Sequence, residues 1–430
     1  MVNSSPSKRR VVITGMGAVT NLGHDAPSTW DAMVAGRSGI SRVVDEPPFN
    51  RWGHDHWSVH IAGAIRGWDE ATRLEKRETK RLDRFAILGI SAAIEAVEDS
   101  KIDFSKYDPT RSGAVIGSGV GGIQTIEMGL ETLLEKGPDR LSPFTVPRLM
   151  ANAVAGDVSI RFGLQGPSSS HTTACASSGH SMGDAFRLIR SNRADVMLAG
   201  GSEGAVSPLC LGAFMTMRAL STRNDDPTRA SRPFDRYRDG FVLSEGAAVF
   251  MLEELEQAKA RNATIYAEVV GYAASSDASH ITAPDPNGSG AARSMRWALE
   301  DAGLAPDQID YVNAHGTSTP LGDKAEVAAV TSVFGDHARK SASGKLLMSS
   351  TKSMTGHCLG ASGAVETIAC IGAIRHSVVP PTINCEAPDD GFDIDFVSQN
   401  ARDARVRYAM NNTFGFGGHN VTIIFGAYQA

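Results

Sequence analysis

Short apolar runs that end in glycine-rich turns, most of them followed by a helical pattern, recur along the 430-residue chain. Val11–Ile13 leads into GMGAV, Ala114–Ile116 into GSGVGG and Val196–Ala199 into GGSEG. Further on, Tyr311–Val312 leads into NAHGT, Leu346–Met348 into SSTKSMTGH, and Val421–Phe425 closes the pattern. A helix is expected over Leu82–Val97, where Leu82, Phe85, Ala86, Gly89, Ala93, Ala96 and Val97 share one face. Others are expected at Ser178–Arg190, Gly290–Ala302, Asp323–Phe334 and Gly360–Arg375. Alternating strands and helices imply an α/β fold, a mostly parallel sheet covered on both faces with its chemistry on the strand-end loops. A charged helix at Glu253–Arg261 precedes a new strand at Tyr266–Gly271. Two halves, 10–263 and 264–430, therefore follow a flexible tail at 1–9.

Composition narrows the function. Net charge is −6, from 42 basic and 48 acidic residues, which argues against nucleic-acid binding. No apolar run reaches the roughly 20 residues of a membrane span. The start, Met1 to Arg10, is basic and lacks the apolar block of a secretion signal, so a cytoplasmic location is expected. Five cysteines, at 175, 210, 358, 370 and 385, form no CxxC pair, which disfavours a disulfide framework or a zinc ribbon.

Several motifs invite readings that their context weakens. Gly117, Gly119 and Gly122 satisfy G-x-G-x-x-G after an apolar strand, but the acidic residue and second strand of a dinucleotide site are missing. G-x-S-x-G occurs around Ser181 and Ser202; neither has both the strand before and the helix after that a nucleophile elbow needs. Ser181 nonetheless anchors the competing reading, a serine hydrolase. His54, His56 and His60 lie beside Trp52 and Trp57 in what reads as a surface loop, and no metal is expected there.

Cys175 stands among small residues just before an amphipathic helix, in TACASSGHSMG. A thiol at a helix N-terminus feels unpaired N–H groups and the positive end of the dipole, and both favour thiolate. His315 and His357 follow apolar strands in loops of glycine, serine and threonine, where imidazoles handle protons or stabilise anions. Lys352 and Glu326 complete a charged set that is equally readable as structural. The glycine-rich loop around Phe416 can bring a backbone N–H to a substrate, as an oxyanion hole requires.

TACAS, NAHGTSTPLGDKAE, SSTKSMTGHCLGASGAVE and FGFGG, with ALSTRNDDP, ASRPFDRYRDGFVL and PPTIN, resemble the β-ketoacyl-acyl carrier protein synthases of the thiolase superfamily. The resemblance runs from about Arg10 to Phe425 and is nearest the synthase II type. It implies a five-layered α/β/α/β/α fold of two duplicated halves and a homodimer. It implies that Cys175 carries an acyl chain taken from acyl carrier protein. His315 and His357 would stabilise the enolate as malonyl thioester loses carbon dioxide, and the N–H groups of Cys175 and Phe416 would hold the oxyanion. Thr317 and Thr319 match positions that bind the pantetheine arm, Lys352 with Glu326 a pair that sets the site's electrostatics, and Phe416 a gate. Phe414 and Gly417 are expected at the substrate, and no cofactor is expected beyond the carrier's phosphopantetheine arm. Thiolases use a second cysteine and synthase III an asparagine where this chain has His357, while chain-length-factor subunits lack the nucleophile. His171 and His419 depart from the pattern, at positions usually aliphatic and threonine. The basic stretch suggests carrier docking through Arg77, Lys80, Arg81 and Arg84, with a solvated helix start as the competing account. Fatty-acid elongation is the main expectation, a polyketide-type synthase the alternative with the same chemistry.

Overall fold

The computed structural model describes residues 9–51 and 53–429. Residues 1–8 of the expected tail, and Trp52, lie outside the described residues. Arg9, expected within the tail, is instead fixed: its guanidinium donates to the Asp195 carboxylate at 2.7 Å.

The strands of the first half are β1 Val11–Thr20, β2 Ser112–Gly117, β3 Ser168–Ser169, β4 Val196–Glu203 and β5 Gly246–Glu254. Those of the second are β6 Ala267–Ser276, β7 Tyr311–Asn313, β8 Leu347–Ser349, β9 Tyr408–Gly415 and β10 His419–Gly426. They form one ten-stranded sheet in the order β8-β7-β9-β10-β6-β1-β5-β4-β2-β3. Each half therefore has the same order by chain position, third-second-fourth-fifth-first, and the halves meet where β1 pairs antiparallel with β6. The repeated order is the structural trace of a duplication.

The principal helices are α1 Arg84–Ser100, α2 Ile123–Lys136, α3 Ala153–Phe162, α4 Ser177–Arg190, α5 Ser289–Ala302, α6 Pro320–Phe334 and α7 Ser362–His376. α4 and α7 pack on each other and on strands of both halves, which makes them a central layer. α1 and α3 cover the outer face of the first half, and α5, with α6 packed on it, covers that of the second. The result is the five-layered α/β/α/β/α fold that the resemblance implies.

Three expectations need correction. The sheet is mixed rather than mostly parallel: four neighbouring pairs run parallel and five antiparallel, the long central strands β9, β10, β6, β1, β5 and β4 all meeting antiparallel. β1 and β4 do not stop at their glycines but run on to Thr20 and Glu203. Gly15 and Gly17 face α1 so closely that a Cβ at either would collide with the carbonyls of Ala96 and Ala92, so these glycines admit a helix rather than turn the chain. The helix expected from Glu253 starts only at Leu255, because Glu253 and Glu254 still pair in β5. Glu254 then caps that helix through the N–H of Gln257 at 3.1 Å.

Candidate active site

Cys175 sits in a single 3₁₀ turn, Ala174–Ala176, that runs straight into α4. Ala174 is held in the left-handed region at φ 49°. Ser177 ties this corner, its hydroxyl accepting from Thr173 N–H at 2.9 Å and donating to the Ala174 carbonyl at 2.6 Å. Gly415 of β9 presses on the same corner: a Cβ there would lie 3.1 Å from the amide nitrogens of Cys175 and Ala176. That closeness lets the next residue, Phe416, aim its backbone N–H at the Cys175 sulfur, joined by the N–H of Cys175 itself.

His357 comes from the other half, in the loop between β8 and α7. Its Nε2 lies 3.0 Å from Cys175 Sγ and its Nδ1 2.8 Å from Ser362 Oγ. The Ser362 hydroxyl can donate or accept, so the imidazole can present Nε2 with or without a proton. His315, beyond the end of β7, stands edge-on to His357 with ring centroids 5.3 Å apart. Lys352 reaches His315 Nδ1 at 3.4 Å. An ammonium only donates, so His315 carries its own proton on Nε2.

The ion pair of Lys352 is with Glu366 of α7, both side chains buried, and not with Glu326 as expected. Glu326 serves the backbone instead, its carboxylate accepting the N–H groups of His315 at 2.8 Å and Gly316 at 2.7 Å. Glu326 thus sets where the histidine loop stands, while Glu366 balances the lysine. Glu366 and Ser362 were missed by sequence reasoning: Lys352 and His357 lie before α7 and outside it, so no helical spacing points from them to its residues.

Burial dominates the proton equilibria. It pushes the Cys175 thiol up to about 12, against the opposing pull of Lys352 and the Phe416 N–H. It drives His315 and His357 well below their ordinary values, helped by Lys352. The resting site is therefore a neutral thiol beside neutral imidazoles, and the helix start alone does not make a thiolate. Glu366 and Glu326 are each raised to about 7 by burial, with Lys352 and, at Glu326, two N–H groups opposing.

Cys175, His315, His357 and Glu326 line one cavity of about 510 Å³, shared by Thr317, Thr319, Phe414 and Phe416. Thr317 and Thr319 hydroxyls are 3.0 Å apart, and Phe414 tilts against His315 at 5.7 Å between ring centroids. Gly417 is not among the lining residues; its N–H goes to the Ile281 carbonyl at 2.7 Å, which fixes the turn rather than a substrate. The Cys175, His315 and His357 ligand atoms lie within 4.8 Å of one another, a spacing a thiophilic metal would accept. The charge of Lys352 beside them opposes a cation there. Asn313 Oδ1, Asn411 Oδ1 and Glu366 Oε2 are each buried without a hydrogen bond among the described residues.

The motifs set aside keep structural places. In the G-x-G-x-x-G loop the N–H groups of Gly119 and Val120 hold the carboxylate of Glu203, at 2.8 and 3.2 Å. An internal anion fills the cradle a phosphate would use. Ser181 is fully buried with no hydrogen bond from its hydroxyl, and Ser202 donates to the Phe85 carbonyl, so neither has a histidine base. His54 faces Asp45 at 3.4 Å and His60 faces Arg42 at 2.8 Å, in an ordinary surface network.

Of the four docking candidates, Arg77, Lys80 and Arg81 are exposed. Arg77 pairs with Glu75 at 2.6 Å, and Arg81 lies over the Phe144 ring at 5.1 Å. Arg84 does not belong with them. It is locked in a bidentate pair with Glu245, at 2.9 and 3.2 Å, and covers Trp68.

The first half matches the β-ketoacyl synthase N-terminal domain over residues 8–258, and the second the C-terminal domain over 266–386. The chain belongs to the β-ketoacyl synthase family. It is 48% identical to the 3-oxoacyl-[acyl-carrier-protein] synthase 2 of Coxiella burnetii over 97% of its length and 98% of the relative's. Its identity to the enzyme of the same name from Vibrio cholerae is 47%, over 97% and 99%. A β-ketoacyl synthase crystal structure from Burkholderia phymatum superposes with TM-score 0.89 at 36% identity, covering 98% of this chain and 100% of that one. A type II polyketide ketosynthase, solved in complex with its acyl-carrier protein, superposes with TM-score 0.88 at 32% identity, covering 98% and 100%.

Proposed function

We propose that the chain is a decarboxylating condensing enzyme that lengthens acyl chains on acyl carrier protein, in the manner of the 3-oxoacyl synthases of type 2. The observation that carries this is His357 Nε2 at 3.0 Å from the Cys175 sulfur, with two backbone N–H groups aimed at the same atom at the base of a cavity. His357 takes the thiol proton as sulfur attacks the acyl thioester; the carrier's thiol leaves with that proton, and Cys175 holds the acyl group. Malonyl thioester then enters. Its carbon–carbon bond to the carboxylate breaks, carbon dioxide departs, and the electron pair becomes an enolate whose oxygen is held by the Nε2–H groups of His315 and His357. The enolate carbon attacks the acyl carbonyl, the new carbon–carbon bond forms, and the bond to Cys175 sulfur breaks, the thiolate then taking up a proton from solvent by way of His357. Oxyanion charge in this step falls to the N–H groups of Cys175 and Phe416, donors fixed before charge appears.

Thr317 and Thr319 would bind the pantetheine arm, which arrives on the carrier, so the enzyme needs no cofactor of its own. Arg77, Lys80 and Arg81 would meet the acidic carrier. Higher identity to fatty-acid synthases than to polyketide ketosynthases supports the fatty-acid role. A homodimer is supported by the exposed edge strand β3 and by exposed Ile126, Leu130, Leu133 and Leu134 on α2. Among the described residues no helix is long and apolar enough to cross a membrane, and all five cysteines are free, which suits a reducing cytoplasm.

Cys175→Ala, His315→Ala and His357→Ala test the proposal with malonyl carrier and acyl carrier together. All three lose condensation by about a thousandfold or more. Only the histidine variants lose carbon dioxide release as well. Full condensation by either histidine variant would overturn the assignment.

A further inference from the structure

Next to the nucleophile corner stands a group of histidines that the condensation does not use. His180, one turn into α4, has its ring stacked on His171 with centroids 5.8 Å apart and planes 23° apart. On another side it meets His419 edge-on, at 6.2 Å and 85°. The three rings come from three segments: the loop before Cys175, the helix that follows it, and the strand that leaves the Phe416 turn.

Two of the rings are tied to the catalytic backbone and the third to α4. His180 Nδ1 lies 2.9 Å from Thr173 Oγ1 and 3.2 Å from the Ala176 carbonyl, so it grips the nucleophile corner on both sides of Cys175. His419 opens β10 opposite Gly415, and its ring lies against Gly417, where a Cβ would be 3.1 Å from it. His171 Nε2 is 2.7 Å from Asp184, on the next turn of α4. Among the described residues His419 makes no hydrogen bond through its ring. The other charged or titratable groups facing the cluster are Arg187 and Tyr272 beside Asp184, and Asp277 behind Gly418.

We infer that His180 and His419 are positioning residues: the His171–His180–His419 cluster braces the Phe416 turn against the nucleophile corner and loosens in acid. A proton on His171 is matched by Asp184. A proton added to His419 would meet no carboxylate in contact among the described residues and would face His180, with His171 beyond it. His180 itself stays neutral into acid, its ring held down to about 4 by burial and by His171, so it keeps its grip while its neighbours change. The inference rests on the reading of Phe416 as oxyanion donor and gate. Acid then weakens acyl transfer, which needs the Phe416 N–H, and spares decarboxylation, which needs only the two catalytic histidines.

The test compares wild type, His419→Thr, His171→Ile and Phe416→Ala, reading transfer from acyl carrier to Cys175 by mass spectrometry alongside carbon dioxide release. Between about pH 8 and 5.5, wild-type acylation is expected to slow roughly fivefold more than that of His419→Thr, with the two within about twofold at pH 8. Carbon dioxide release keeps the same profile in both. His171→Ile flattens the acylation profile as well and carries the test if His419→Thr does not fold. Superimposable acylation profiles for wild type and the folded histidine variants overturn the brace. Unchanged acylation in Phe416→Ala would instead overturn the reading of Phe416, so the two failures are distinct.

Discussion

At the start of α4, Ala174 takes φ 49° and Cys175 follows it; at the start of α7, Leu359 takes φ 45° and Gly360 follows. Both corners are one 3₁₀ turn leading into a helix of similar length, and each has a serine at the helix's first residue, Ser177 and Ser362. In the first half the corner carries the nucleophile and its serine fixes the backbone around it. In the second the corner carries no side chain, and its serine supports the imidazole that serves the other half's thiol. The strand-end loops repeat the contrast: Gly119 and Val120 hold Glu203, and His315 and Gly316 hold Glu326. Duplication supplied two helix starts and two carboxylate cradles; the active site exists because they came to differ.

The difference at Lys352 has the largest expected consequence. Among the described residues the first half has no buried lysine beside its helix, and removing this one by Lys352→Ala leaves Glu366 buried and unpaired, costing about 3–5 kcal/mol in chemical denaturation. Gly360 is next. A Cβ there would strike Gly119 N and lie 2.9 Å from Glu203 Oε2, so Gly360→Ala costs about 1–3 kcal/mol, whereas Cys175 tolerates alanine with little loss of stability. Ser362→Ala removes the partner of His357 Nδ1 and lowers kcat about tenfold without unfolding the chain, while Ser177→Ala raises the unfolding rate of the corner instead.

Glu203 sharpens the same comparison through pH. Burial raises its carboxyl to about 7 from 4.5, against the N–H groups that hold it. A folded pKa above the unfolded one contributes stability below about pH 4.5 that is lost as pH rises through about 7. The destabilisation caused by Glu203→Gln, read from Tm, should therefore be greatest near pH 5 and shrink toward pH 8. The smallest effect expected is at the surface. Reversing Lys80 and Arg81 to glutamate raises KM for carrier-bound substrate severalfold at low salt and less at high salt; an unchanged KM removes the docking role.

His315 and His357 were legible because each lies beyond an apolar run among residues too small to be core, Cys175 because small residues and the start of an amphipathic helix surround it, and Phe416 because glycines flank it. The alternation of strands and helices and the helix boundaries, within a few residues, were legible from periodicity. What the sequence hid were pairings across distance. Glu326 and Glu366 are both acidic residues in helices near the site, and only the packing of α7 decides which meets Lys352. Glu203 sits after two glycines, and its role depends on a loop more than eighty residues earlier, at Gly119 and Val120. Gly15 and Gly17 read as a turn because local propensity says nothing of a helix pressed against the strand. Arg84 belongs by sequence to a basic stretch, and only Glu245, far along the chain, takes it out.

The central claim is that the thiol of the first half carries the acyl chain while the imidazoles of the second do the proton and enolate chemistry. Incubating the protein with acyl carrier protein charged with chains of different length, then digesting and locating the thioester by mass spectrometry, tests it most directly. A single acyl group on the peptide containing Cys175, absent from Cys175→Ala and formed slowly in His357→Ala, is the predicted result. Acylation at Ser181, at any other cysteine, or undiminished in Cys175→Ala would contradict it.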